Sequence, residues 1–180
     1  HRIQGIPAVK AFRDGCVVAE FTGAQPRDTV ERFLDGLLPS QTDELVAAGD
    51  EQSLRHAVEL EPTRADAAIP LARILLGRGE ADPALEILRR VPGSFVADGL
   101  AARIELERES PPSAPELSQA FGALDRQDPE QAVDLLLGAL PSADGARDAI
   151  RRVLIGILDE LGVEHPLSRE ARRRLASALY

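Results

Sequence analysis

The apolar positions change their period once, early in the chain. Residues 8–13, AVKAFR, intersperse the apolar Ala8, Val9, Ala11 and Phe12 with the charged Lys10 and Arg13 and read as a strand, and residues 16–22, CVVAEFT, supply a partner strand across Asp14-Gly15, a two-residue hairpin signal. Beyond Gly23 the spacing lengthens. Val30, Phe33, Leu34, Leu37 and Leu38 fall at i, i+3, i+4, i+7 and i+8, the stripe of an amphipathic helix with Pro26 near its start. Residues 1–38 therefore read as strand, turn, strand, helix. A two-stranded hairpin with one helix is marginal alone, and its open edge needs cover from missing strands, a neighbouring domain or a second copy.

From Gln41 onward the helical period holds to the end of the chain. It predicts helices over 43–49, 51–62, 64–79, 82–92, 94–109, 115–127, 128–141, 144–162 and 166–180, the eighth being the longest. Pro62, Gly77 with Gly79, and Pro92 stop helices, and the stretch SPPSAP at 110–115 is a turn-rich break. Pro70 falls inside the 64–79 pattern, so that helix either starts late, with Pro70 in its first turn, or bends there.

Composition narrows the class. Of 180 residues, 44% are hydrophobic, yet only five are Phe and one is Tyr, so the core rests on Leu, Ala, Val and Ile, which favours helices over a sandwich. The formal net charge is -9, against the basic face that a general nucleic-acid binder needs. Residues 1–38 carry five basic and five acidic side chains, so the whole excess of acid lies in 39–180. This shift sets an expected boundary between domains 1–39 and 40–180. The single cysteine, Cys16, excludes an internal disulfide and fits a cytoplasmic location. No run of 18 apolar residues and no basic-then-apolar leader appears, so no membrane span or signal peptide is expected.

Three segments share one layout: AAGDEQSLRHAVELEP, GRGEADPALEILRRVP and DRQDPEQAVDLLLGALP. Each runs from a break through a charged turn to a short helix with Leu on one face, then Pro. Ala84 and Ala132 align, 48 residues apart, with Leu88 and Leu136 four residues on; Ala57 and Pro62 place the first segment. The pattern resembles tetratricopeptide repeats, in which helix pairs stack because no pair can bury its apolar stripe alone. The usual aromatic of the first helix is absent, and 48 exceeds a regular repeat, so helix 94–109 is expected to interrupt the array. A plain helical bundle could use the same residues.

GIPAVKAFRDGCVVAEFTGAQPRDTVERFLDGLL, in turn, resembles the C-terminal half of a thioredoxin domain. Ile6-Pro7 matches that fold's cis-proline pair and Asp14-Gly15 its hairpin turn, with Phe12, Val18, Gly23 and Ala24 at fitting positions. A thioredoxin domain joined to degenerate tetratricopeptide helices is similar to the bacterial thioredoxin-domain tetratricopeptide proteins, the chaperedoxins. The ending ELGVEHPLSREARRRLASALY resembles the close of that family. The resemblance implies a mostly α fold, a repeat array preceded by a β-hairpin and helix from half a thioredoxin fold, with the first half and its CxxC-type site upstream. It implies an ATP-independent holdase for unfolding or oxidised clients that hands them to ATP-driven chaperones. Two alternatives stand beside it: a thiol-disulfide oxidoreductase whose repeats select partners, and a passive scaffold.

Candidate sites are few. The resemblance makes Ile6 and Pro7 a peptide-binding position, half a groove without its opposing cysteine. Cys16, beside Asp14, lacks the cationic surroundings that lower a thiol pKa and reads as a small half-buried hydrophobe. Glu105, Glu107 and Glu109 read as a solvated surface. The basic run REARRRL, 169–175, reads either as cations late in a helix or as a docking tail in which Arg172 steers an acidic partner and Leu175, Leu179 and Tyr180 form an apolar face. His1, His56 and His165 are too scattered for a metal site, and neither a phosphate loop nor a catalytic triad is visible, so no cofactor, metal or catalytic residue is assigned. The exposed half-domain is expected to drive homo-oligomerisation.

Overall fold

The computed structural model describes residues 7–13, 15–108, 115–143 and 145–179. Ile6, Asp14, Tyr180 and most of the 110–115 break lie outside the described residues. Two strands, β1 (Ala8–Arg13) and β2 (Cys16–Thr22), form an antiparallel hairpin. Its register pairs Val9 with Phe21 and Lys10 with Glu20, and a bulge between Ala11 and Phe12 shifts the pairing so that Phe12 faces Val17. Lys10 and Glu20 form a cross-strand ion pair at 2.5 Å. Helix α1 (Arg27–Asp35) lies against the hairpin through an edge-to-face contact of Phe33 with Phe21, ring centroids 5.0 Å apart. α1 stops sooner than its apolar spacing predicts: Gly36 caps it, and Leu37 and Leu38 sit in the turn that follows. No described residue before Thr42 is buried.

The rest is helical: α2 (Gln41–Ala48), α3 (Glu51–Leu60), α4 (Ala65–Gly77), α5 (Ala81–Leu88), α6 (Phe95–Arg108), α7 (Pro115–Asp125), α8 (Pro129–Ala139), α9 (Arg147–Leu161) and α10 (Pro166–Leu179), with a 3-10 turn at Leu140–Ser142. Caps set several starts. Ser40 and Asp43 form a reciprocal capping box that begins α2 two residues before the apolar pattern does, Asp50 caps α3 on the Ser53 amide, and Asp128 caps α8 on Gln131, with Pro129 in its first turn. Pro70 is the sixth residue of α4, so the helix starts well before it, and Pro70 offers no amide hydrogen to the Asp66 carbonyl one turn back.

Two hydrophobic cores are built. One gathers Leu54, Leu71, Leu75, Leu85 and Leu88 from α3, α4 and α5; the other gathers Phe121, Val133, Leu136, Ile150 and Leu154 from α7, α8 and α9. Helix α6 joins them. Ala97, Ala101 and Ile104 enter the first core, Ala102 and Leu106 the second. The sequence pattern casts 94–109 as an interruption, and the structure corrects this. α6 is the element common to both cores, buried on two faces because it packs on α4 and α5 on one side and on α9 on the other.

The α6–α9 contact depends on glycine. A Cβ on Gly156 would lie 2.9 Å from the Phe95 carbonyl oxygen and 3.0 Å from the Gly99 Cα; one on Gly99 would lie 3.0 Å from the Arg152 carbonyl oxygen. Backbone meets backbone there, at a separation no side chain permits.

Candidate functional site

A groove of about 1050 Å³ opens between α4, α6 and α9, closed at one end by the α7–α8 turn. Leu76, Val96, Leu100, Val153, Ile157 and Leu161 give it apolar walls, each only partly covered apart from the buried Val153. Gly99 and Gly156 form part of its lining, so the glycine crossing lets α6 and α9 meet closely beneath the groove.

The charged groups around the groove are engaged with one another. Arg73 on α4 reaches across to Glu160 on α9, donating to both carboxylate oxygens at 2.6 Å. Arg103 on α6 donates to Glu107 at 2.9 Å and to Asp125 at 2.8 Å, and its guanidinium lies 5.4 Å from the centre of the Phe121 ring. Burial disfavours the charge on Arg103, but Asp125 and Glu107 outweigh it and hold its pKa above the ordinary value. The groove therefore offers hydrocarbon and a paired rim, with no uncompensated cation for a phosphate or carboxylate among its described lining residues.

Beside the groove, Arg152 on α9 holds α6 with a fork to Asp98, at 2.6 to 3.1 Å, and a further bond to Glu105 at 3.2 Å. Arg89, just past α5, donates to the other Glu105 oxygen at 2.8 Å. Hydrogen bonds from Arg89 and then Arg152 keep the Glu105 carboxyl below its usual range, while Asp98 first, then Glu105, raise the pKa of Arg152. Glu105, half-buried, is thus a structural anion linking α5, α6 and α9, which corrects its solvated-surface reading; Glu107 is exposed as expected while pairing with Arg103, and Glu109 lies outside the described residues. Sequence offered no sign of the role of Glu105, because its partners stand 16 and 47 residues away.

The residues singled out from sequence fall elsewhere. Pro7 is exposed, and its carbonyl accepts from the Gly23 amide at 2.7 Å, closing the open end of the hairpin; Ile6 lies outside the described residues. Cys16 is exposed at the hairpin turn, not half-buried, because among the described residues no layer covers that end of the sheet. Leu175 points inward: it is 8% exposed and belongs to the second core with Ala171. That removes it from any outward apolar face, because α10 turns its apolar stripe onto α8 and α9. The side chain of Leu179 and the whole of Tyr180 lie outside the described residues. Arg172 donates to the Leu158 carbonyl at 3.4 Å, which Ser168, fully buried, also caps at 3.1 Å. Both satisfy a carbonyl in the last turn of α9, where helices leave such groups unpaired and favour cations. Arg174 pairs with Asp134 on α8 at 2.5 Å, and Arg169 approaches Glu164 at 3.6 Å.

Among the described residues no cluster of side chains could hold a metal ion, and no helix is long and apolar enough to cross a membrane.

Comparison with known proteins agrees with this architecture. Two tetratricopeptide repeat family models match, one over residues 44–105 and the other over residues 98–180. Uncharacterized proteins of Mycobacterium bovis and Mycobacterium tuberculosis are each 28% identical over 198 residues, 99% of this chain; the chain spans 62% of their length. An uncharacterized protein of Haemophilus influenzae is 24% identical over 212 residues, covering 99% of this chain and 97% of that protein. The two family matches meet within α6, the helix common to both cores. From residue 44 to its end the chain is built of tetratricopeptide repeats, a protein–protein interaction module, and it is a tetratricopeptide-repeat protein.

Proposed function

We propose that this chain is the client-binding part of a thioredoxin-like tetratricopeptide chaperone, which holds extended apolar segments of partly unfolded proteins in the α4–α6–α9 groove without ATP and releases them to ATP-driven chaperones. The groove carries the reading. Its volume of about 1050 Å³ is at the upper limit of small-ligand pockets, its walls are aliphatic, and its rim charges are neutralised in pairs. A neutral, extended chain with apolar side chains meets those conditions, and an anionic ligand does not. Stacked helix pairs present such surfaces to protein partners.

Support for the thioredoxin part comes from the order hairpin, Gly-turn, helix over Ala8–Asp35 and from the resemblance of residues 5–38 to that fold. In this reading 1–39 and 40–180 act as separate domains, with Ile6 and Pro7 offering a second peptide contact and Arg172, Leu179 and Tyr180 a docking tail. The test is suppression of aggregation of a denatured model enzyme by the chain, with and without oxidant. Ile157→Asp or Leu100→Asp, each placing a charge on the groove wall, is expected to abolish suppression while far-UV circular dichroism stays helical. Undiminished suppression by both folded variants would remove the groove from the function.

A further inference from the structure

Gln127 lines the end of the groove in a backbone conformation its type disfavours. Its φ is +60°, and it is the one non-glycine residue with positive φ among the described residues. A side chain there crowds the following carbonyl, which is why glycine ordinarily takes the position. The repeat makes the comparison internal. Gly79 stands 48 residues earlier, at the same place in the α4–α5 turn, with φ +78°. The two turns share their hydrogen bonds: Glu80 N–H to the Leu75 carbonyl and Asp128 N–H to the Ala123 carbonyl, each at 2.9 Å, and Gly79 N–H to Leu76 and Gln127 N–H to Leu124, again each at 2.9 Å. The fold therefore uses glycine where only the turn is at stake, and glutamine where the turn faces the groove.

The side chain of Gln127 makes no hydrogen bond within the described residues, whereas the groove's arginines and carboxylates are paired. A primary amide carries donors and an acceptor together, the complement of a peptide group. Strained backbone that persists beside a binding surface is a pointer to function. We propose that Gln127 is a binding residue of the groove, whose amide hydrogen-bonds the main chain of the extended segment held there. This rests on the segment-binding reading of the groove. It gives that groove a means of holding chains of differing sequence, since every chain offers the same peptide group.

The test uses the whole chain and a fluorescein-labelled decapeptide of alternating leucine and serine, beside the same peptide N-methylated at alternate amides, with affinity read by anisotropy. Wild type is expected to bind the unmethylated peptide about three- to tenfold more tightly than the methylated one, the size of one or two hydrogen bonds. Gln127→Gly is expected to lose that discrimination and to bind the unmethylated peptide about three- to tenfold more weakly. Its Tm should nevertheless rise by about 2–4 °C, because glycine relieves the positive φ. A variant that is more stable yet binds both peptides as wild type does would overturn the proposal and leave the groove reading standing. A Tm that falls would overturn the equivalence with Gly79 on which the proposal depends. If wild type binds neither peptide, or Ile157→Asp binds as wild type does, the groove reading fails, and this proposal with it.

Discussion

Replacing Gly156 by alanine should loosen the joint between the two cores. Helix propensity alone favours the change, by about 1 kcal/mol, since glycine is the poorer residue in a helix interior. Packing opposes it. The new methyl would stand 2.9 Å from the Phe95 carbonyl oxygen and 3.0 Å from the Gly99 Cα, where ordinary contact begins near 3.4 Å. Both obstacles are backbone, so no side-chain rotation relieves them, and α9 must move off α6 as a body. Overpacking of this kind costs about 1–3 kcal/mol, and rigid obstacles place it at the upper end. The displacement also lengthens the fork from Arg152 to Asp98, which sits one residue from Gly99. The net expectation is a loss of about 1–2 kcal/mol, or roughly 2–8 °C in Tm for a chain of this size. Gly138→Ala is the control. Gly138 lies in α8, exposed, with nothing within 4 Å of the added carbon, so propensity acts alone and Tm should rise by about 2–4 °C. Calorimetric scans of the two variants should therefore move in opposite directions. If Gly156→Ala is as stable as Gly138→Ala, the glycine crossing does not hold the helices at their observed distance.

Three further outcomes are expected. The hydrogen bond from Arg64 first, then those from Ser40, lower the Asp43 pKa from 3.8 to about 2, so the stability it contributes is present above pH 3.8 and is lost as pH falls toward 2; carboxyl NMR titration should place Asp43 near 2, and Arg64→Gln should return it toward the ordinary value, with an unchanged titration refuting the assignment. Ser168→Ala leaves the Leu158 carbonyl with the longer bond from Arg172 as its side-chain donor among the described residues and should lower stability by about 1 kcal/mol in urea titration, whereas an unaltered midpoint would mean that the buried hydroxyl contributes nothing. Val9, Val17 and Val18 are 39–48% exposed on a hairpin that no further strand joins among the described residues, so sedimentation is expected to show self-association that Val18→Lys reduces; a strict monomer at high concentration would contradict this.

Much of the local structure was legible in the residues themselves. Two short apolar-rich runs on either side of Asp14-Gly15 marked the hairpin. The 3.6 period with Pro and Gly stops located helices from 41 onward, and the alignment of Ala84 with Ala132 located two repeat turns that share two backbone hydrogen bonds of equal length. These features come from contacts within a few residues, and local patterns encode local contacts. The apolar period also said that a face of each helix is buried, but not against what. α6 meets α9 across 54 residues of sequence, as in Asp98 with Arg152, and two glycines mark the meeting point without any period. The groove follows from that crossing: Leu100 and Ile157 become its walls only when α6 and α9 are placed side by side. Leu175 shows the same division, since its spacing announced an apolar face on the last helix, and only the packing of α10 on α8 and α9 decided that this face looks inward. Sequence by itself determined the elements and their repeat, because turns and caps are made by neighbours in the chain. Tertiary structure alone decided the joint, the groove and the pairing of its charges, because each depends on residues that only folding brings together.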